Sequence, residues 1–170
     1  MRKYFAFLLL MTLILLSGCT KAPTTIQSTY PSNYTDVNAY LKALNFNITQ
    51  ELPKDEFIMP TPGPRLALLE LFSNDINSDI RSYVGKKITQ KNYLLKDSPL
   101  QKTVGEKVNL IASIWLIDNK IIGGTIQAKQ KNSSIYVSEG YSLRGRSLKD
   151  MTGMDFNKWF MNWKDTNYKK

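Results

Sequence analysis

Apolar positions along the 170-residue chain change their period several times, and each change predicts an element. Tyr4 to Leu16 is a nearly unbroken apolar run. From Thr20 to Thr35 no period survives, and Thr, Ser, Pro and Asn dominate, the composition of a flexible linker. Val37, Tyr40, Leu41 and Leu44 then fall at i, i+3, i+4 and i+7, predicting an amphipathic helix with Thr35 or Asp36 as N-cap. Phe46, Ile48 and Gln50 alternate as a short strand would. Pro60, Pro62 and Pro64 bar a helix from crossing the next stretch, yet Pro64 suits a first helical position. Leu66, Leu69, Leu71 and Phe72 make a second helix that ends near Ser73-Asn74.

The pattern then turns to β. Gly85 to Leu95 carries β-branched and aromatic residues and is followed by a loop at Asp97-Ser98-Pro99. In Val108 to Ile117 one face holds Val108, Leu110, Ala112, Ile114 and Leu116, and the other holds Ile111, Trp115 and Ile117. That predicts a central strand covered on both sides. Asp118-Asn119-Lys120 reads as a tight turn returning through IIGGTIQAKQ, and SSIYVSEGY as a further strand. Phe156, Trp159, Phe160 and Trp163 restore helical spacing, with Asp155 at the N-terminal end and lysines at the other, matching the helix dipole. The expected fold class is α+β: an antiparallel sheet of three to five strands, one or two N-terminal helices and an aromatic-faced C-terminal helix in one domain over residues 36–170.

Arg2 and Lys3 before the first apolar run make it an export signal, since thirteen residues fall short of the ~20 needed to span a bilayer. Its ending, Leu16-Ser17-Gly18-Cys19, resembles the bacterial lipobox. There a peptidase cuts before the cysteine and the thiol carries a diacylglyceryl group; small residues at Ser17 and Gly18 let the chain lie extended in the peptidase cleft. Residues 1–18 are then the signal peptide, Cys19 the lipidation site and residues 19–35 the tether. Two acyl chains, each CH₂ contributing roughly 0.8 kcal/mol, hold a protein where one chain would not. The expected location is the outer face of the cytoplasmic membrane. Thr20 is not the aspartate that retains some lipoproteins at an inner membrane, so a host with two membranes would place the protein in the outer one; the Lys-, Asn- and Ile-rich composition favours one membrane.

Cys19 is the only cysteine, so no disulfide can staple the domain and packing must stabilise it. Histidine is absent. That removes Ser-His-Asp and Cys-His catalysis, His/Cys zinc sites and the usual pH switch. A carboxylate pair or a Ser-Lys dyad would survive, but neither has a recognisable spacing, so no catalytic residue, metal or cofactor is expected. Without Arg2 and Lys3 the chain keeps 21 basic against 14 acidic residues, a net +7. Export argues against nucleic acid. Lysines spread along the chain favour solubility, and the same charge would draw the domain toward an anionic membrane or wall polymer.

Two motifs offer sites. Arg144, Arg146 and Lys149 form a small basic cluster able to contact an anion through guanidinium pairs, or simply a solvated loop. The stripe Phe156, Trp159, Phe160 and Trp163 either packs across the sheet or meets a membrane or partner, flanked by Lys158 and Lys164. Gly123-Gly124 lacks the further glycines and lysine of a phosphate loop and fits a bulge or a close backbone approach.

Three stretches, Tyr40-Leu41-Lys42-Ala43-Leu44-Asn45-Phe46, Tyr83-Val84-Gly85-Lys86-Lys87-Ile88-Thr89 and Trp115 to Gly124, resemble a functionally uncharacterised family of small exported domains from low-GC Gram-positive bacteria. The likeness covers roughly Asp36 to Gln127. Asn45 stands where that family tends to have glycine and Thr125 where it tends to have an acidic residue, and the aromatic C-terminal segment lies outside the pattern. The family brings no reaction, so the resemblance implies fold and address. Three functions follow as expectations: a membrane-tethered binding or accessory module with a protein, peptide or wall-polymer partner; an immunity-type lipoprotein that intercepts a membrane-active peptide or its lipid target; and a wall- or lipid-modifying enzyme working without histidine, for which no spacing argues.

Overall fold

The computed structural model describes residues 36–137 and 140–167. The expected signal peptide, Cys19 and the expected tether lie outside the described residues. The first helix, α1 (Val37–Ala43), starts where the Asp36 carboxylate accepts from the Asn38 and Ala39 amides at 2.8 and 3.3 Å. It stops at Asn45, whose φ of 62° lets the Phe46 amide donate back to the Leu41 carbonyl. α2 (Pro64–Ser73) opens on the anticipated proline. β2 (Lys87–Lys96), a one-turn α3 (Gln101–Val104), β3 (Val108–Ile117) and β4 (Lys120–Gln130) follow. Asp118 and Asn119 both take positive φ, which a two-residue hairpin with the strands' own twist requires.

Two expectations need correction. The strand after α1 is long: β1 (Asn47–Ile58) runs twelve residues through Pro53 and breaks register between Ile48 and Gln50 and between Leu52 and Asp55. Those bulges hide the alternation, and a proline is tolerated because β1 is an edge strand. The segment read as a last strand is also less regular. Tyr136 makes one bridge to Lys129, and β5 is only Tyr141–Ser142.

The sheet is an antiparallel meander in the order β1-β2-β3-β4-β5. One face packs Tyr93, Leu95, Leu110, Ala112, Ile114 and Ile126 against Val37, Tyr40 and Leu41 of α1. The other packs Ile88, Trp115 and Ile122 against α2 and, after the short α4 (Leu148–Thr152), against α5 (Phe156–Asn167). A capping box between Ser147 and Asp150 starts α4. Gly123 and Gly124 lie where the chain crosses closest: a Cβ on Gly123 would sit 2.3 Å from Ser73 Oγ and 2.6 Å from the Trp115 ring.

Candidate functional site

The second face is covered at one end only. Register places Gln90 beside Trp115, Asn92 beside Ser113 and Leu94 beside Ile111, with Thr125 across from Ser113 and Gln127 across from Ile111. α2 closes the face over Trp115 and stops short of the later rows. What remains is a trough made of two adjoining clefts. The first, about 210 Å³, lies under Arg65, Leu68 and Phe72 of α2 and is floored by Gln90, Ser113, Thr125 and Gln127. The second, about 480 Å³, continues over Leu94, Asn109 and Ile111 to a wall at Asn132–Ser134. The covered-on-both-sides reading of β3 therefore holds for Trp115, which is buried, while Ile111 is half-buried in the open part.

A hydrogen-bonded bridge stiffens this floor. Asn92 is buried and uses its whole amide: Nδ2 donates to the Pro53 carbonyl and to Asp55 Oδ2, both at 2.9 Å. Its Oδ1 accepts from Ser113 Oγ at 2.8 Å and from Gln90 Nε2 at 3.0 Å. Gln90 Oε1 in turn accepts from Trp115 Nε1 at 3.2 Å. The bridge ties the bulge of β1 to β2 and β3, and because every partner is satisfied it orders the face instead of straining it. At the mouth, the Arg65 guanidinium stands 5.1 Å over the Phe57 ring and meets no carboxylate among the described residues.

The aromatic stripe of α5 packs onto the second core cluster. Trp159 is buried at 8% exposure, and Phe156, Phe160 and Trp163 are half-buried against the same cluster. Phe156 and Phe160 stack at 6.0 Å and Phe160 and Trp163 at 5.9 Å. Trp163 Nε1 donates to Glu70 Oε2 at 2.7 Å, and Arg81, ion-paired with Glu70, also bonds Asn167 and lies 5.8 Å from the Trp163 ring. The bond to Glu70 holds the Arg81 guanidinium charged more firmly than usual, so this clasp fastens α5 to α2. Among the exposed large apolar residues Met161 is the one on this helix.

In the basic cluster, Arg146 pairs with Asp75, whose side chain is buried. Asp75 Oδ2 finds no hydrogen-bond partner among the described residues. Arg144 is exposed, and its amide donates to Ser142 Oγ at 3.3 Å. Lys149 is exposed in α4, where the Ser147 hydroxyl and amide hold the Asp150 carboxyl below its ordinary range, with the charges of Arg146 and Lys149 adding to the effect. Among the described residues no group of three or more Cys, Asp or Glu side chains is placed to hold a metal ion, and no helix is long and apolar enough to cross a membrane.

Sequence reading missed the trough because its residues lie on four strands. One signal was present: Asn109 and Ser113 interrupt the apolar series Ile111, Trp115 and Ile117 on a single face of β3. No protein-family model, curated protein or solved structure matches the chain.

Proposed function

We propose that this chain is a lipid-anchored binding module on the outer face of the cytoplasmic membrane, with the trough of the half-covered sheet face as its ligand site. The observation that carries the binding role is that trough: a concave, pre-ordered polar floor beside an apolar wall, the form that small-ligand and polymer sites take. The address rests on Arg2-Lys3, the apolar run and Leu16-Ser17-Gly18-Cys19. The aromatic stripe that motivates the immunity reading is largely engaged in packing, which supports the trough as the contact surface.

Intact-mass spectrometry of protein extracted from host membranes tests the anchor, with Cys19→Ala as control. The expected product begins at Cys19 and carries a diacylglyceryl mass that the variant lacks. Unmodified protein in the medium overturns the anchor.

A further inference from the structure

Resting on the trough as a ligand site, we infer that its ligand is an uncharged, elongated glycan bearing hydroxyl and acetamido groups. Charge is the first reason. The chain is strongly basic, yet of the twenty residues that line the two clefts only Arg65 and Lys129 are charged. Each stands over an aromatic ring, Arg65 5.1 Å from Phe57 and Lys129 Nζ 5.7 Å from Tyr136, one in each cleft. A polyanion would meet one cation in each cleft and find the rest elsewhere on the molecule.

The second reason is the kind of polar group on offer. Gln50, Asn109, Gln127 and Asn132 line or border the floor, and their side-chain amides make no hydrogen bond to another described residue. An amide presents a donor and an acceptor side by side, the complement of neighbouring sugar hydroxyls and of an acetamido group. Between them Leu94 and Ile111 are half-buried and give the C–H faces of sugar rings apolar surface to cover.

Shape is the third. Six residues of β3 separate the row of Trp115 from that of Asn109, so the floor is about 20 Å long at the rise of a strand. That fits an oligosaccharide better than a single sugar. An extended peptide would seek a free strand edge for its own backbone groups. The trough lies on the sheet's face, and the β1 edge is interrupted by Pro53 and two bulges.

The test is titration of tetra-N-acetylchitotetraose into the full chain in detergent micelles, followed by calorimetry. Saturable binding is expected, weakened at least tenfold by Gln127→Ala combined with Gln50→Ala and unchanged by raising salt. The melting temperature of that variant should match the parent within a few degrees, because both side chains reach solvent; if it does not, Asn132→Ala, on the loop wall, is titrated in its place and should weaken binding at least threefold. No saturable binding, or equal binding by the variants, overturns the inference. Tighter, salt-sensitive binding of polyglycerol phosphate that the same variants weaken overturns the glycan and keeps the trough as a site. Running parent and Cys19→Ala side by side separates the readings: glycan binding without lipidation removes the anchor alone, and lipidation without glycan binding removes this inference alone.

Discussion

The two faces of the sheet share every strand but solve different problems. On the α1 face, Leu110, Ala112, Ile114, Ile126 and Ala128 are fully buried, and almost everything that meets them is apolar. On the other face, the same strands carry Trp115 and Ile122 under α2 and α5 at one end, then a buried amide and hydroxyls, then half-buried leucine and isoleucine in the open. The first face can stabilise the fold by burial alone. The second must also satisfy Asn92 and Ser113, which it does through side chains drawn from three strands. A sheet closed on one side thus leaves part of its other side open, without the domain losing its core.

Adjacent residues of β3 offer the largest test of that division. Leu110→Ala should cost roughly 3–4 kcal/mol and Ile111→Ala about 1 kcal/mol in urea unfolding, because the first empties a closed core and the second a site already open to water. Equal costs would erase the distinction between the faces. Next in size is Asn92→Leu, expected to cost about 2 kcal/mol because the buried Ser113 hydroxyl loses its acceptor. An unchanged midpoint for that variant would show that the bridge does not order the floor. Trp163→Phe keeps an aromatic ring and removes the bond to Glu70, so a loss of about 1 kcal/mol is expected; a larger loss would place α5 more deeply in the core than the clasp implies.

The smallest effect belongs to pH. Burial, with Glu51 and Asp36 nearby, pushes the Tyr93 hydroxyl above its ordinary value of 10.0. A raised folded value contributes stability in full below the unfolded value, and that contribution is lost as pH rises through the folded one. The melting temperature should therefore fall above about pH 10, and Tyr93→Phe should flatten that fall. An identical alkaline slope in the variant would assign the loss to the surface lysines.

Much of the framework was legible in order along the chain. β-Branched and aromatic content marked β2, two apolar faces marked β3, Asp118-Asn119 marked the hairpin, Pro64 marked the start of α2 and the 3.6 spacing marked α5. Asn45 is a local case: a helix ending that needs positive φ is served by asparagine nearly as well as by glycine. β1 was legible only at its start, since each bulge shifts the alternation by one residue. The Asp75–Arg146 and Glu70–Arg81 pairs were not legible at all, because 71 and 11 residues separate the partners.

The absence of histidine, the apolar run after Arg2-Lys3 and the Leu16-Ser17-Gly18-Cys19 pattern are properties of the sequence itself; they depend on residue type and near neighbours, which no fold alters. The trough belongs to tertiary structure alone. Gln90, Asn92, Ser113 and Gln127 each look like ordinary surface positions, and they become one floor only when strand register sets them side by side and α2 stops short of covering them. Register and coverage are decided by packing between residues far apart in the chain, so no local pattern can announce them.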